Sequence, residues 1–252
     1  MKVWLHQCAS PAGEVATAFA EIAAGLAGAK AAGAGMALFP ELLLPGYNSD
    51  RVADLAEPLG GAWTGRLAAM AREAGVGITT GYAERDGAAA YNSAVCIGAR
   101  GEVLANYRKL QLFGPREARL FRPGGGYVTF DWAGTRTALM ICYDVEFAGH
   151  VRALAGQGVK LILCPTANMH PFTHVTRFTV PSQAVNHAVG IAYCNYCGVE
   201  GDLHYYGGSV AVAADGHILA EAGGEAEGLV ADFGYRPDAR LLSSQIADYR
   251  PA

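Results

Sequence analysis

Short apolar runs recur along the chain, separated in some places by helical stretches and in others by tight turns, and this alternation constrains the fold more than any other feature. Val3-Trp4-Leu5 reads as a strand, a long Ala-rich stretch from about Pro11 as a helix, and Met36 to Phe39 as a buried strand. A second helix is predicted from Trp63 to Ala74, stopped by Gly75, with a strand from Val76 to Tyr82. Then the pattern changes to hairpins. Asn92 to Gly98 turns at Ala99-Arg100-Gly101 into Glu102 to Tyr107, and Tyr127 to Trp132 turns at Ala133-Gly134 into Arg136 to Cys142. Helices are predicted from Glu146 to Ala155 and between Thr173 and His187, and strands at Val159 to Cys164, Val189 to Asn195 and Gly208 to Ala213. Asp215-Gly216 closes a last hairpin into Ile218 to Ala220. Helices alternating with strands, mixed with hairpins, predict an α/β fold in which two sheets pack face to face with helices outside. No Pro/Ser-rich linker, repeat or low-complexity tract divides residues 1–252, so one domain is expected.

The composition narrows the function classes. The 252 residues are 52% hydrophobic and only 17% charged, which excludes a disordered chain. A formal net charge of −4 with no basic cluster offers nothing to nucleic acid. So low a charge content suggests apolar surface hidden in subunit contacts. The Ala/Gly-rich stretch from Ala12 to Met36 is broken by Glu14, Glu21 and Lys30, short of the ~20 apolar residues a membrane span needs. The apolar start is interrupted by His6 and Gln7, so no export signal is read, and the six cysteines are expected as free thiols in a cytoplasmic protein.

Three segments end an apolar run in a group able to do chemistry. Glu41, between Pro40 and a run of leucines, should have its pKa raised by poor solvation, although a strand-end carboxylate often only caps a helix or pairs with an arginine. Arg108 and Lys109 point to opposite sides of an extended strand, so one can face solvent while the other enters a site. Cys142 ends a buried strand just before a helix start, where orphan N–H groups favour a thiolate and can hold an oxyanion. A lone cysteine in such a run is more often a small core hydrophobe. The combination changes this. A free thiol of pKa about 8.5 and a carboxylate of about 4.3 are mismatched by about 4 units for proton transfer. Burial of Glu41 and an ammonium from Lys109 beside Cys142 would narrow that gap from both sides, making a complete set for acyl transfer without histidine.

In these segments, Phe39-Pro40-Glu41, Tyr107-Arg108-Lys109 and Cys142-Tyr143-Asp144, separated in that order by 68 and 33 residues from Glu41 to Lys109 to Cys142, the chain resembles the nitrilase superfamily of carbon–nitrogen hydrolases. The resemblance runs to about Asp232 and is greatest to the aliphatic and stereoselective amidases. It implies a four-layer αββα sandwich, a homodimer or higher homo-oligomer, a small-molecule amide substrate and no cofactor or metal. It implies further that Glu41 is the general base, Lys109 the oxyanion-holding lysine and Cys142 the nucleophile. Glu117 then orients the lysine and the substrate amide, the Tyr143 N–H is the second oxyanion donor, and Asn168 borders the pocket. Relatives carry Phe-Pro-Glu after the cysteine block where this chain has Phe147-Ala148-Gly149-His150, which leaves open how the following helix is held.

The expected reaction is conversion of a small carboxamide to a carboxylic acid and ammonia through a cysteine thioester. A nitrilase or an N-carbamoyl amino acid or amine hydrolase on the same Glu-Lys-Cys site is the alternative, the carbamoyl amino acid needing a cation such as Arg116 or Arg177 for its carboxylate. Two other classes are weaker. A Cys-His hydrolase has His150, His170, His174 and His187 to draw on, but Cys142 lacks the glycine-flanked turn of such enzymes. Cys194-Asn195-Tyr196-Cys197 has redox or half-zinc spacing without a second pair. His204, His217 and Tyr205-Tyr206 are read as surface or loop groups.

Overall fold

The computed structural model describes residues 1–49 and 51–250. Its strands in chain order are β1 (Lys2–Ala9), β2 (Met36–Leu38), β3 (Gly77–Asp86), β4 (Ala89–Ile97), β5 (Val103–Arg108), β6 (Thr129–Trp132), β7 (Thr135–Leu139) and β8 (Leu161–Pro165). There follow β9 (Gly190–Cys194), β10 (Tyr196–Glu200), β11 (Leu203–Tyr206), β12 (Val210–Val212), β13 (Ile218–Glu221) and β14 (Glu227–Asp232). The helices that cover the sheets and border the site are α1 (Val15–Ala31), α2 (Ala62–Ala74), α3 (Gly114–Leu120), α4 (Ala148–Gly156) and α5 (Val180–His187).

Two sheets result. One has the order β11-β10-β1-β2-β3-β4-β5, with β14 also paired to β1; the other runs β13-β12-β9-β8-β7-β6. Parallel strands fill the centre of each, β10-β1-β2-β3 in the first and β7-β8-β9 in the second, and helices follow the crossovers from β1 to β3 and from β7 to β9. Alternation along β1 buries Val3 and Leu5 on one face. With Met36, Leu38, Leu139, Leu161 and Leu163 these make the seam between the sheets. Phe19, Ile22 and Leu26 of α1 and Leu67 of α2 cover the outer face of the first sheet, and Val151, Leu154 and Ala184 of α4 and α5 cover that of the second. This is the four-layer αββα order. Each fully buried leucine or isoleucine in these layers contributes roughly 1.5–3 kcal/mol against its exposed state. No helix among the described residues is long and apolar enough to cross a membrane.

Most expected elements are present, and Gly75 ends α2 at φ +68° as its position predicts. The departures have physical causes. The β3–β4 ladder continues through the Ala/Gly-rich tip to the pair Asp86 and Ala89, because backbone pairing carries it where side chains give no strand signal. The helix expected from Glu146 is a 3-10 turn over Cys142–Glu146 followed by α4. Within 173–187, a wide π turn over Val175–Thr179 precedes α5, whose Pro181 has no N–H to donate. Tyr205 is not a surface group: it lies buried in β11 and donates its hydroxyl proton to Glu200.

Candidate active site

Glu41 follows β2, Lys109 follows β5, Cys142 follows β7 and Asn168 follows β8. The sheets thus deliver all four to one end of their shared seam, outside the carboxyl ends of parallel strands, where α/β sheets bind ligands. The Glu41 segment is set by a close backbone approach. Gly81 N donates to Pro40 O at 3.1 Å, and a Cβ on Gly81 would fall 2.1 Å from Leu42 N. Glu41 N also donates to Thr166 O, 3.2 Å away at the end of the other sheet. Lys109 is held through its backbone N, which donates to Asn92 O at 2.8 Å. Cys142 has φ +45°, in the left-handed region costly for a residue with a Cβ, and this displays its thiol at the start of the 3-10 turn. Asp144 ties that turn to the lysine strand: its carboxylate accepts from the Tyr107 hydroxyl (2.8 Å), Gln111 N (2.8 Å) and Ile141 N (3.1 Å).

The buried charges form one chain. Lys109 Nζ donates to Glu41 Oε1 at 2.6 Å and to Glu117 Oε1 at 2.8 Å, and all three residues are buried. Glu117, from α3, also accepts from the Tyr47 hydroxyl (2.6 Å) and from Phe113 N (3.0 Å). Asn92 Nδ2 donates to Glu41 Oε1 at 2.7 Å, while Glu41 Oε2 is buried without a protein partner. Such an oxygen is free to accept a proton. Burial raises the Glu41 pKa and Glu117 adds to this, with Lys109 and Asn92 opposing. For Lys109, burial alone would lower the pKa, but Glu117 and Glu41 outweigh it and hold the ammonium well above its usual range. One expectation is overturned. Cys142 is not poised as a thiolate: burial and the Glu41 charge raise its pKa more than Lys109, Thr166 and the Ala167 backbone lower it. At rest Cys142 is therefore a thiol, and the Lys109 ammonium is hydrogen-bonded to both glutamates.

Above this floor opens a cavity of about 230 Å³, smaller than the roughly 300–1,000 Å³ of drug-sized sites. Cys142 and Tyr143 line it with Tyr47, Phe113 and Phe172. Phe113 packs edge-on against Tyr143 and Phe172 at centroid distances of 5.3 and 5.7 Å. Asn168 borders the cavity as expected, but its Nδ2 donates to Phe172 O at 3.2 Å, so it shapes the wall. The helix after Cys142 is held without the family's Pro and Glu. His150 Nδ1 lies 2.8 Å from the Tyr127 hydroxyl, and its Nε2 lies 2.9 Å from Gln111 Nε2.

Other expectations fall away. Arg116 donates to Tyr47 O and Ser49 O and Arg177 is exposed over Phe178, so neither arginine lines the cavity to meet the carboxylate of a carbamoyl amino acid. His174 lines the cavity, but no imidazole hydrogen-bonds Cys142 among the described residues, and His170 packs against His204 with the rings tilted by 40°. Cys194 and Cys197 are free thiols on strands of different sheets. Sequence reasoning missed Asn92, Tyr47 and Glu146 as site residues, and considered His174 only as a base for Cys142. Tyr47 stands in the segment with Glu41, but its partner Glu117 is 70 residues away, and only the fold joins them.

The carbon-nitrogen hydrolase family model matches residues 2–232. Among curated relatives, the "hydrolase in pqqF 5′ region" of Pseudomonas protegens is 38% identical over 88% of this chain and 80% of its own. The (R)-stereoselective amidase of a Pseudomonas species is 36% identical over 74% of this chain and 68% of its own. Among solved structures, the NitN amidase of Nesterenkonia sp. AN1 superimposes with a TM-score of 0.90 at 34% identity, covering 99% of this chain and 96% of that one. A variant of that amidase carries acrylamide added to its active-site cysteine, and another is in complex with butyramide. The chain accordingly belongs to the carbon–nitrogen hydrolase family, as an amidase-type, cysteine-dependent member of the nitrilase superfamily.

Proposed function

We propose that the protein hydrolyses a small primary carboxamide to a carboxylic acid and ammonia. The observation that carries this reading is the buried hydrogen-bonded chain Glu41–Lys109–Glu117, which faces the Cys142 thiol at the floor of a small cavity. Because Cys142 rests as a thiol, its proton leaves as sulfur attacks the carbonyl carbon, passing to the unpartnered Glu41 Oε2. Lys109 Nζ and the Tyr143 N–H, among the orphan donors of the turn that opens at Cys142, hold the oxyanion. Glu117 keeps the ammonium in place. Glu41 then gives the proton to the leaving nitrogen, ammonia departs, and a thioester remains. Water gives a proton to Glu41 and attacks the thioester; collapse releases the acid, and the proton returns to sulfur.

Cys142→Ala tests the whole scheme. Wild-type protein incubated with propionamide or butyramide should release ammonia and show an acyl adduct by mass spectrometry. The variant should show neither, with kcat down by about 10⁵–10⁶, the scale seen on removing a nucleophile. Ammonia release that survives in Cys142→Ala would sink the assignment.

A further inference from the structure

Glu146 stands four residues after Cys142, at the far end of the same 3-10 turn, which at about 2 Å rise per residue places the two backbones about 8 Å apart along its axis. Its side chain lines the catalytic cavity. Among the described residues the Glu146 carboxylate has no hydrogen-bond or ion-pair partner, although its backbone O accepts from Gln183 Nε2 at 3.5 Å, so the residue is anchored while its charge is left open. Burial raises its pKa, His174 being the main opposing charge. His174 is also the only basic side chain among the described cavity-lining residues, and it is exposed. Lys109 is not available to a substrate carboxylate: two of its three N–H donors go to Glu41 and Glu117, and the third is the one assigned above to the oxyanion. The remaining wall near Glu146 is Tyr143, Phe172 and Met169, and aromatic faces attract a cation further.

Resting on the amidase reading above, we propose that Glu146 makes this cavity select carboxamides bearing an ammonium group on a carbon near the amide, and disfavour those bearing a carboxylate. The amide carbonyl sits over Cys142, and the substrate ammonium reaches the open carboxylate at the other end of the turn. Pairing relieves a half-buried charge that no protein group hydrogen-bonds, whereas a substrate carboxylate meets like charge offset only by the exposed His174 imidazole.

The test uses substrates of nearly one shape and three charges: β-alaninamide, butyramide and succinamate. The wild-type enzyme should favour β-alaninamide over butyramide by tenfold or more in kcat/KM, chiefly through KM, and succinamate should be the poorest. Glu146→Gln should cut the β-alaninamide-to-butyramide ratio about tenfold, and Glu146→Lys should move the preference toward succinamate. Equal kcat/KM for β-alaninamide and butyramide in the wild type, or a ratio indifferent to Glu146→Gln, would overturn the proposal while leaving the amidase reading intact. If no amide were turned over, the amidase reading would fail by itself. Calorimetric binding of β-alaninamide and butyramide to Cys142→Ala protein, with and without Glu146→Gln, would still decide the charge preference: a tenfold ratio that Glu146→Gln abolishes supports it, and equal affinities refute it.

Discussion

The ends of β7 and β9, two strands of the same sheet, each carry a thiol, and only one of them is placed for chemistry. Cys194 closes β9 pointing into the seam, where its S–H is bonded to Leu38 O at 3.2 Å. Cys142 lies just past β7 at φ +45°, facing the cavity. Burial raises the pKa of both. Acidity therefore does not separate them; what does is the group that β2 of the opposite sheet presents to each. At Leu38 that strand offers a carbonyl, which ties up one thiol, and at Glu41 its continuation offers a carboxylate oxygen without a partner. A strand-end cysteine becomes a candidate nucleophile when a proton acceptor converges on it from the other sheet.

The contrast should break most severely at Gly81. Gly81→Ala puts a methyl group 2.1 Å from Leu42 N and 2.6 Å from Glu41 Cα, so the glutamate backbone must withdraw. Displacing a reacting group by about 1 Å costs on the order of 100-fold in rate. Overpacking of this kind destabilises by roughly 1–3 kcal/mol, or more where backbone is struck. We expect kcat for a small amide to fall about 100-fold with a lowered Tm, while Cys142 stays in place. A Gly81→Ala enzyme of normal kcat would show that Glu41 does not need this position.

A smaller effect separates the two thiols by pH. Only Cys142 depends on an ionised Glu41, and burial raises that carboxyl's pKa. A raised pKa means that the proton is taken up at higher pH than usual, and a protonated Glu41 cannot act as base. The acid limb of kcat/KM should therefore lie above the ordinary carboxylate value of about 4.3, falling tenfold per pH unit below it. Asn92→Ala removes a hydrogen bond that lowers the Glu41 pKa, so it should move the limb to still higher pH. Rate profiles on a neutral amide check both points; a limb at the ordinary carboxylate value, unmoved by Asn92→Ala, would contradict the burial argument.

What the sequence made legible at this site were polar groups that interrupt apolar strands: Glu41, Lys109 and Cys142 each stand where a buried run ends. Strand alternation separated Arg108 from Lys109 without saying which would enter the site, and in the fold Arg108 is the one left out of it, paired with Glu84 and Asp86. The layers were legible too, since alternation of strand and helix admits few packings. Partnerships made by tertiary approach were not. Asn92 meets Glu41 across 51 residues, and nothing about an Asn within a strand announces that contact. Nor does the spelling of β10 and β11, with Gly198 inside one and His204 in the other, advertise strands; they exist because β1 offers an edge for β10 to pair with. The raised pKa of Cys142 was missed for a related reason, as the ammonium was visible in the sequence but the completeness of its pairing was not.

The smallest effect should come from the second thiol itself. In Cys194→Ser the hydroxyl keeps a donor for Leu38 O, at the cost of placing a more polar atom in the seam. In Cys194→Ala the donor is lost, but so is the need to satisfy it, and a small void remains. Both changes therefore act on the stability of the seam and not on the chemistry, and each should cost about 1–2 kcal/mol of stability, within the usual range for a core substitution. Their kcat on a small amide should stay within about twofold of wild type, because Cys194 touches neither the Glu41 carboxylate nor the cavity. Parallel denaturation curves and ammonia-release rates measure the two quantities separately. A large fall in kcat without loss of stability would mean that the two strand ends are chemically coupled through β2, and that the division between a structural and a reactive thiol drawn here is mistaken.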